Sequence, residues 1–401
     1  MVIAPDKPAA PQPQEAKNFK LLGHDRSAAW GGGSLVEVKN GHAYVGSVGN
    51  SSYNGPEGFT AHDVTDPRNP RKVFEFRAPP GIHMHKLRVV GDHFLYVNAE
   101  KIKGEKPEHP TGIFIFDISK PAEPRQVGFY DMPLGGPHRF GVDNERQLAL
   151  LPANAEGWDE RVIWVVDIKD PLKPQVISQW GLPQQKLVDG KSKLPKQLAE
   201  PEHVWMMHGP PVIRGNRMYG AFWGGGVAVI DCTDLTDMKL LGHVGWSPPF
   251  IGSTHTAWPL GDRPYLIVTD EARGRKKFWD SQFMWVIDIR DETNPLPVGT
   301  FFPEREKYFN REGRFGAHNI LEYMPAEGPW KDLVFLTYFN AGLRAVDVSD
   351  PMRPKEVGYF VPELPSDQKG IQSNDIGRDE HGRLYLIDRW GAGMHILEYT
   401  G

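Results

Sequence analysis

The chain has 401 residues, 39% of them hydrophobic, and a formal net charge of -5. That apolar share is ample for a core, the acidic balance argues against nucleic acid as principal partner, and no apolar run reaches the roughly 18 residues that would span a membrane. A single cysteine, Cys232, excludes an intramolecular disulfide, and without a basic-then-apolar leader at the start the expected location is cytoplasmic.

In chain order, residues 1–17 are rich in Pro, Ala and Gln and read as a disordered tail before a single domain over 18–401. Seven units follow. Each carries an apolar strand ending in an acid, at Asp63, Asp117, Asp167, Asp231, Asp288, Asp347 and Glu398, with spacings of 50 to 64 residues. Most copies continue into an Asp-Pro or Thr-Asp turn and a further strand. Several short strands per unit at this period predict blades of four strands, and seven units predict an all-β, seven-bladed β-propeller. A stretch near 183–201, with Asp189-Gly190 and Leu194-Pro195, reads as an insertion between the third and fourth units. The last unit stops after its third strand, while Lys20-Leu-Leu-Gly-His24 repeats Lys239-Leu-Leu-Gly-His243 of the fourth unit's outer strand. The N-terminal segment is therefore expected to supply the outer strand of the last blade, which removes an open sheet edge.

The segment Ala345-Val-Asp-Val-Ser-Asp-Pro-Met-Arg-Pro-Lys-Glu-Val-Gly358, with close copies at 113–127 and 162–174, resembles the LVIVD-repeat family. The resemblance extends over the whole chain, although Leu235-Thr-Asp-Met238 replaces the prolines in the fourth unit. It implies a β-propeller and says little about chemistry.

A second feature recurs once per unit, where the innermost strand begins. Aligned there are Gly33, His85, His138, His208, His255, His318 and Asn374. With 15 histidines in 401 residues, five in seven equivalent places is not a coincidence of composition. A circular array brings these side chains to one axis, where converging imidazoles point to a transition metal: iron or copper first, with zinc, manganese or nickel as alternatives. His83, two residues before His85 on an extended strand, points the same way. Gly33 is read as a gap in the ring. Asn374 and Glu271 are candidates for catalytic roles, with Glu271 as general base, alongside His83. Arg139 and Arg389 are candidates for holding an oxyanion. The hairpin loops on the same face offer Trp223, Trp279, Trp390 and Asn340 as walls for a small-molecule substrate that is partly apolar or aromatic.

No nucleophile elbow, phosphate loop or dinucleotide fingerprint occurs, so any catalysis falls to the metal. Three classes of function remain. The first is a redox metalloenzyme of oxygenase or oxidase type, which is similar to carotenoid-cleavage oxygenases only in fold and ligand type. The second is a metal-dependent hydrolase or lyase using an activated water. The third is a propeller scaffold without catalysis.

Overall fold

The computed structural model describes residues 14–49, 55–194, 205–247, 250, 252–272 and 282–401. Their strands form seven antiparallel sheets in the order of the seven units, the blades of a propeller. Blade 1, for example, runs Gly33–Lys39, His42–Ser47, Gly58–Asp63 and Arg71–Arg77 from the axis outward. Blade 5 runs Thr254–Pro259, Tyr265–Asp270, Met284–Asp288 and Leu296–Phe301. The inner strand of blade 7, Ser373–Arg378, packs on that of blade 1 and closes the circle. Among the described residues no helix is long and apolar enough to cross a membrane.

The repeated acid has a local job. Its carboxylate accepts the backbone N–H two residues on, at 2.8 Å for Asp117 to Ser119, Asp167 to Lys169 and Asp347 to Ser349. This side-chain cap turns the chain from third to fourth strand at little conformational cost. The glycine of the following Val-Gly step has a different cause. A Cβ at Gly299 would lie 2.1 Å from the carbonyl oxygen of Pro351, and one at Gly242 would lie 2.1 Å from that of Glu292. At these two places, and at Gly23 against the Pro67 carbonyl, the next blade's turn seats itself on the outer strand, and glycine leaves room for it. Asp, Pro and Gly of the repeat are therefore one joint between adjacent blades. Apolar residues fill the space between the sheets, as where Phe59 and Phe76 of blade 1 meet Phe116 of blade 2 edge-on, each at 5.0 Å.

The N-terminal closure is as expected from sequence. Phe19–Asp25 pairs antiparallel with Met394–Tyr399, Phe19 opposite Tyr399. The bulge between Leu21 and Gly23 matches the bulge at the equivalent place in the other blades, such as Val229/Ile230. His24 and His243 each bond a backbone carbonyl through Nε2, of Ala392 and Gly225 respectively, confirming that the two Lys-Leu-Leu-Gly-His segments are equivalent. The tail, however, ends earlier than its composition suggests. Glu15–Lys17 forms a further outer strand on Lys355–Val361 of blade 6. Glu15 anchors it through Arg311 at 2.5 Å and Lys307 at 2.6 Å. Residues 1–13 lie outside the described residues. The stretch read as an insertion begins with a turn pinned by buried Gln185, whose amide donates to the Asp159 and Arg161 carbonyls at 3.1 and 3.0 Å. Its part from 195 to 201 lies outside the described residues.

A chain beginning at Arg26 would leave the backbone of Met394–Tyr399 unpaired on one side. Such a protein is expected to aggregate and to lose cooperative melting, as followed by light scattering and calorimetry. Unchanged scattering with an unchanged melting temperature would show that blade 7 does not depend on this strand.

Candidate metal centre

All seven axial positions converge on one cavity of about 620 Å³. Around it stand Ser34, His85, His138, His208, His255, His318 and Asn374, one from each blade. The imidazoles form an unbroken arc. Ring centroids are 5.0 Å apart for His85 and His138, 4.8 Å for His138 and His208, 4.7 Å for His208 and His255, and 4.4 Å for His255 and His318. His83 extends it, stacked at 3.8 Å on His85.

The member from blade 1 differs from the aligned one. The bulge between Gly33 and Val36 matches those around His255 and Asn374, and it is Ser34, not Gly33, that holds the ring position and faces the cavity. Nor does Gly33 leave a gap. It is buried against blade 7, where a Cβ would lie 1.9 Å from the side chain of Ile387.

Two carboxylates complete the site. Leu87 lies opposite Val97 in blade 2, and Ala257 opposite Val268 in blade 5. Counting three residues on from each gives Glu100 and Glu271, which are therefore equivalent positions at the end of the second strand. Glu271 sits 3.9 Å from His208 Nε2 and 3.8 Å from His318 Nε2, and clusters with His208 and His255, all three being buried. Glu100 clusters with His85 and His138 in the same way. Bonds of about 2.0–2.2 Å to a shared ion put ligand atoms roughly 3–4 Å apart, which the Glu271 distances meet.

The tautomers support ligation. His138 donates from Nδ1 to Glu100 Oε2 at 2.8 Å, His318 from Nδ1 to the Asn374 carbonyl at 2.7 Å, and His83 from Nδ1 to Glu57 Oε2 at 2.7 Å. Each leaves its Nε2 lone pair available, the arrangement by which a carboxylate or carbonyl orients a metal-binding imidazole. Buried His208 Nδ1 and His85 Nε2 have no hydrogen-bond partner within the protein. His85 fits ligation less well, because Asn98 donates to its Nδ1 at 3.3 Å and so leaves the proton on Nε2.

Burial is the main cause that holds the five ring histidines well below their usual range, and neighbouring cations add to it. They are neutral at neutral pH, as ligands must be. Burial likewise raises Glu100. Lys86, next to His85, is pushed down to about 7 by burial and then by Arg139. Its ammonium donates to Ser34 Oγ at 3.3 Å. Arg389 is lowered to about 9, first by burial and then by the Arg314 cation.

The other candidates divide. Trp223 lines the cavity and contacts His208, with ring centroids 4.2 Å apart. Arg389 lines it, and so does Asn374, whose amide donates to the Ser34 carbonyl and ties blade 7 to blade 1. Arg139 does not line it. The fully buried Arg139 side chain turns to the other end of the channel, donating to Glu322 at 2.6 Å and Thr256 at 2.9 Å. There Arg88 bonds Glu37 at 2.7 Å and Glu322 at 2.8 Å, so ion pairs fill the axis behind the histidines. Asn340 is likewise elsewhere, its amide holding the Tyr308 and Arg311 carbonyls at 3.3 Å. Trp390 lies outside the lining as well. Trp279 lies outside the described residues. The sequence reading missed Glu100, Lys86, Arg161 and Arg314, all at or beside the cavity.

Comparisons with known proteins fit this architecture. The segments 212–245 and 332–361 match the LVIVD repeat family, and the chain is a seven-bladed β-propeller that carries LVIVD repeats. No curated protein matches its sequence. Among solved structures, a protein from Lactobacillus plantarum is similar with a TM-score of 0.58 at 13% identity, over 89% of this chain and 99% of that one. A periplasmic gluconolactonase of Pseudomonas aeruginosa is similar at 0.56 and 12%, over 88% and 94%. The β-propeller domain of Cps50 (Swd1) from Myceliophteria thermophila is similar at 0.52 and 13%, over 96% and 99%. Likeness at this level of identity shows the fold alone.

The depressed histidines set a pH dependence. Groups whose folded pKa lies below the unfolded value, about 6.5 for histidine, contribute stability above that value and lose it as pH falls. The metal-free protein is expected to lose melting temperature between about pH 7 and about pH 5, and to lose less when His85 and His255 are both replaced by Gln. Equal losses in the two proteins, measured by calorimetry, would mean that the ring does not carry this linkage.

Proposed function

We propose that the protein is a metal-dependent enzyme whose ion is held at the propeller axis by His208, His255 and Glu271, with His138 and His318 flanking it. The observation that carries this reading is the burial of a carboxylate among neutral imidazoles at one end of a closed channel. Burying such groups is costly even with Arg314 on Glu271, and an ion offsets that cost. Glu271 is better suited to ligation than to the general-base role its loop position suggested. Arg314 binds its Oε1 at 2.8 Å, while Oε2 faces His208. Glu100 takes the supporting part, fixing His138 through Nδ1.

Two histidines and one carboxylate with room beside them are the donor set of non-haem iron sites, and on that ground we assign a redox reaction of oxygenase or oxidase type. A bound iron or copper ion would supply one-electron chemistry with dioxygen. The protein's own groups orient the substrate against Trp223 and keep water from the channel behind the ring. A second reading, a hydrolase or lyase, is favoured by Lys86. An amine lowered to about 7 inside the cavity is a base of suitable strength for proton transfer.

Elemental analysis of untagged protein tests the reading. Close to one equivalent of iron or copper, with dioxygen consumption on substrate screening, is the expected result. Zinc in its place would favour the second reading. His208→Ala and Glu271→Gln should each lower metal content by more than about tenfold while leaving the propeller folded. Full metal content in both variants, or no metal uptake by the parent protein, would reject the site.

A further inference from the structure

We propose that the cavity above the histidine ring binds the oxyanion group of a small organic molecule, a carboxylate or a phosphate, between Arg314 and Arg389. The inference deepens the reading above by naming its substrate class. It rests on that reading for the reaction and not for the binding.

The first support is charge. Among the described residues Lys86, Lys103, Arg161, Arg314 and Arg389 line the cavity with Glu271, and Glu100 lies beside it, so cationic side chains outnumber carboxylates even with Arg314 paired to Glu271 and Arg161 to Glu100. The chain as a whole is acidic, at -5, so this excess is local and runs against the average of the surface. Like charges gathered in a low-dielectric wall repel, and an anion set among them relieves that repulsion.

The second support is construction. Arg314 and Arg389 lie far apart in sequence, yet both backbones are fastened to Gln372. The Arg314 N–H donates to Gln372 Oε1 at 3.1 Å, and the Arg389 N–H donates to the Gln372 carbonyl at 3.0 Å. Gln372 is itself fully buried and donates its own N–H to Asp388 at 2.6 Å. The two guanidinium stems therefore leave a single rigid node and enter one cavity. Planar guanidinium forks match the two oxygens of a carboxylate or the edge of a phosphate, which a lysine does not. Glu271 joins this wall to the imidazoles, since it contacts both Arg314 and the ring. An anion held by the arginines would thus present the rest of its molecule to the ring. The volume, about 620 Å³, suits a small metabolite and not a polymer.

Isothermal titration of the full chain, both as isolated and after chelation, tests the proposal with benzoate, succinate and inorganic phosphate, and with benzamide as the neutral match of benzoate. At least one anion is expected to bind both preparations, with affinity falling as salt rises. Benzamide should bind at least about tenfold more weakly than benzoate if carboxylate is the preferred group. Arg314→Gln, whose side chain is partly exposed, and Arg389→Gln should each weaken the anion by about tenfold or more, whereas the exposed Arg125→Gln should not. Preference between benzoate and phosphate separates the two sources of the oxyanion. No binding of any anion, or undiminished binding by a folded Arg314→Gln protein, would overturn the proposal. Anion binding by a chain that takes up no metal would leave it standing and reject the metal reading instead.

Discussion

Rotational closure is the constraint on which everything else in this molecule depends. When seven copies of one four-stranded unit close on themselves, one residue per blade is forced onto the axis at each level. The chain uses one level for imidazoles and the next for ion pairs. Closure in turn depends on the pairing of Phe19–Asp25 with Met394–Tyr399, which joins the two ends of the sequence in one sheet. Where the repeat keeps its Asp and Gly they serve the same end, because turn and neighbouring strand are fitted to one another at Gly23, Gly242 and Gly299.

The levels differ in what they can do. Behind the ring, Arg88, Arg139, Glu37 and Glu322 satisfy one another at 2.6 to 2.8 Å and seal the axis. At the ring, five neutral imidazoles meet Glu271, and buried His208 Nδ1 and His85 Nε2 have no hydrogen-bond partner within the protein, a cost that a bound ion would offset. Among the described residues that line the cavity, arginines and lysines outnumber carboxylates. A closed floor, a donor set and a cationic wall in sequence along one axis are what a reaction on a small anion requires.

Much of this was legible in the sequence, and for a physical reason. Repetition multiplies weak local signals, so the acid-ended strands gave the blade count and the histidines revealed their shared position without any alignment to other proteins. What stayed hidden lacked repetition. Glu100 occupies the site equivalent to Glu271, but the other blades place unrelated residues such as Arg389 there, so no pattern led from Glu271 to Glu100. Ser34 holds the ring position one residue past the glycine aligned with the histidines, and a serine there carries no signal that a sequence could show. Arg139 follows a ring histidine directly, yet its side chain reaches Glu322 away from the cavity, whereas Lys86, which directly follows His85, lines it. Arg314 precedes its inner strand in a long irregular segment that no repeat describes. Of the tryptophans that suggested a partly apolar or aromatic substrate, Trp223 lines the cavity, where it stands among histidines and charged side chains.

The most direct measurement is anomalous diffraction from crystals of the protein loaded with iron or zinc, collected on both sides of the metal's absorption edge. If the ring is a metal centre, the difference map will hold a peak within bonding distance of His208, His255 and Glu271. A well-ordered ring with no anomalous peak in its cavity, from protein shown to be exposed to the metal, would contradict the central claim. The imidazoles would then be a buried structural feature of the propeller and not its reactive site.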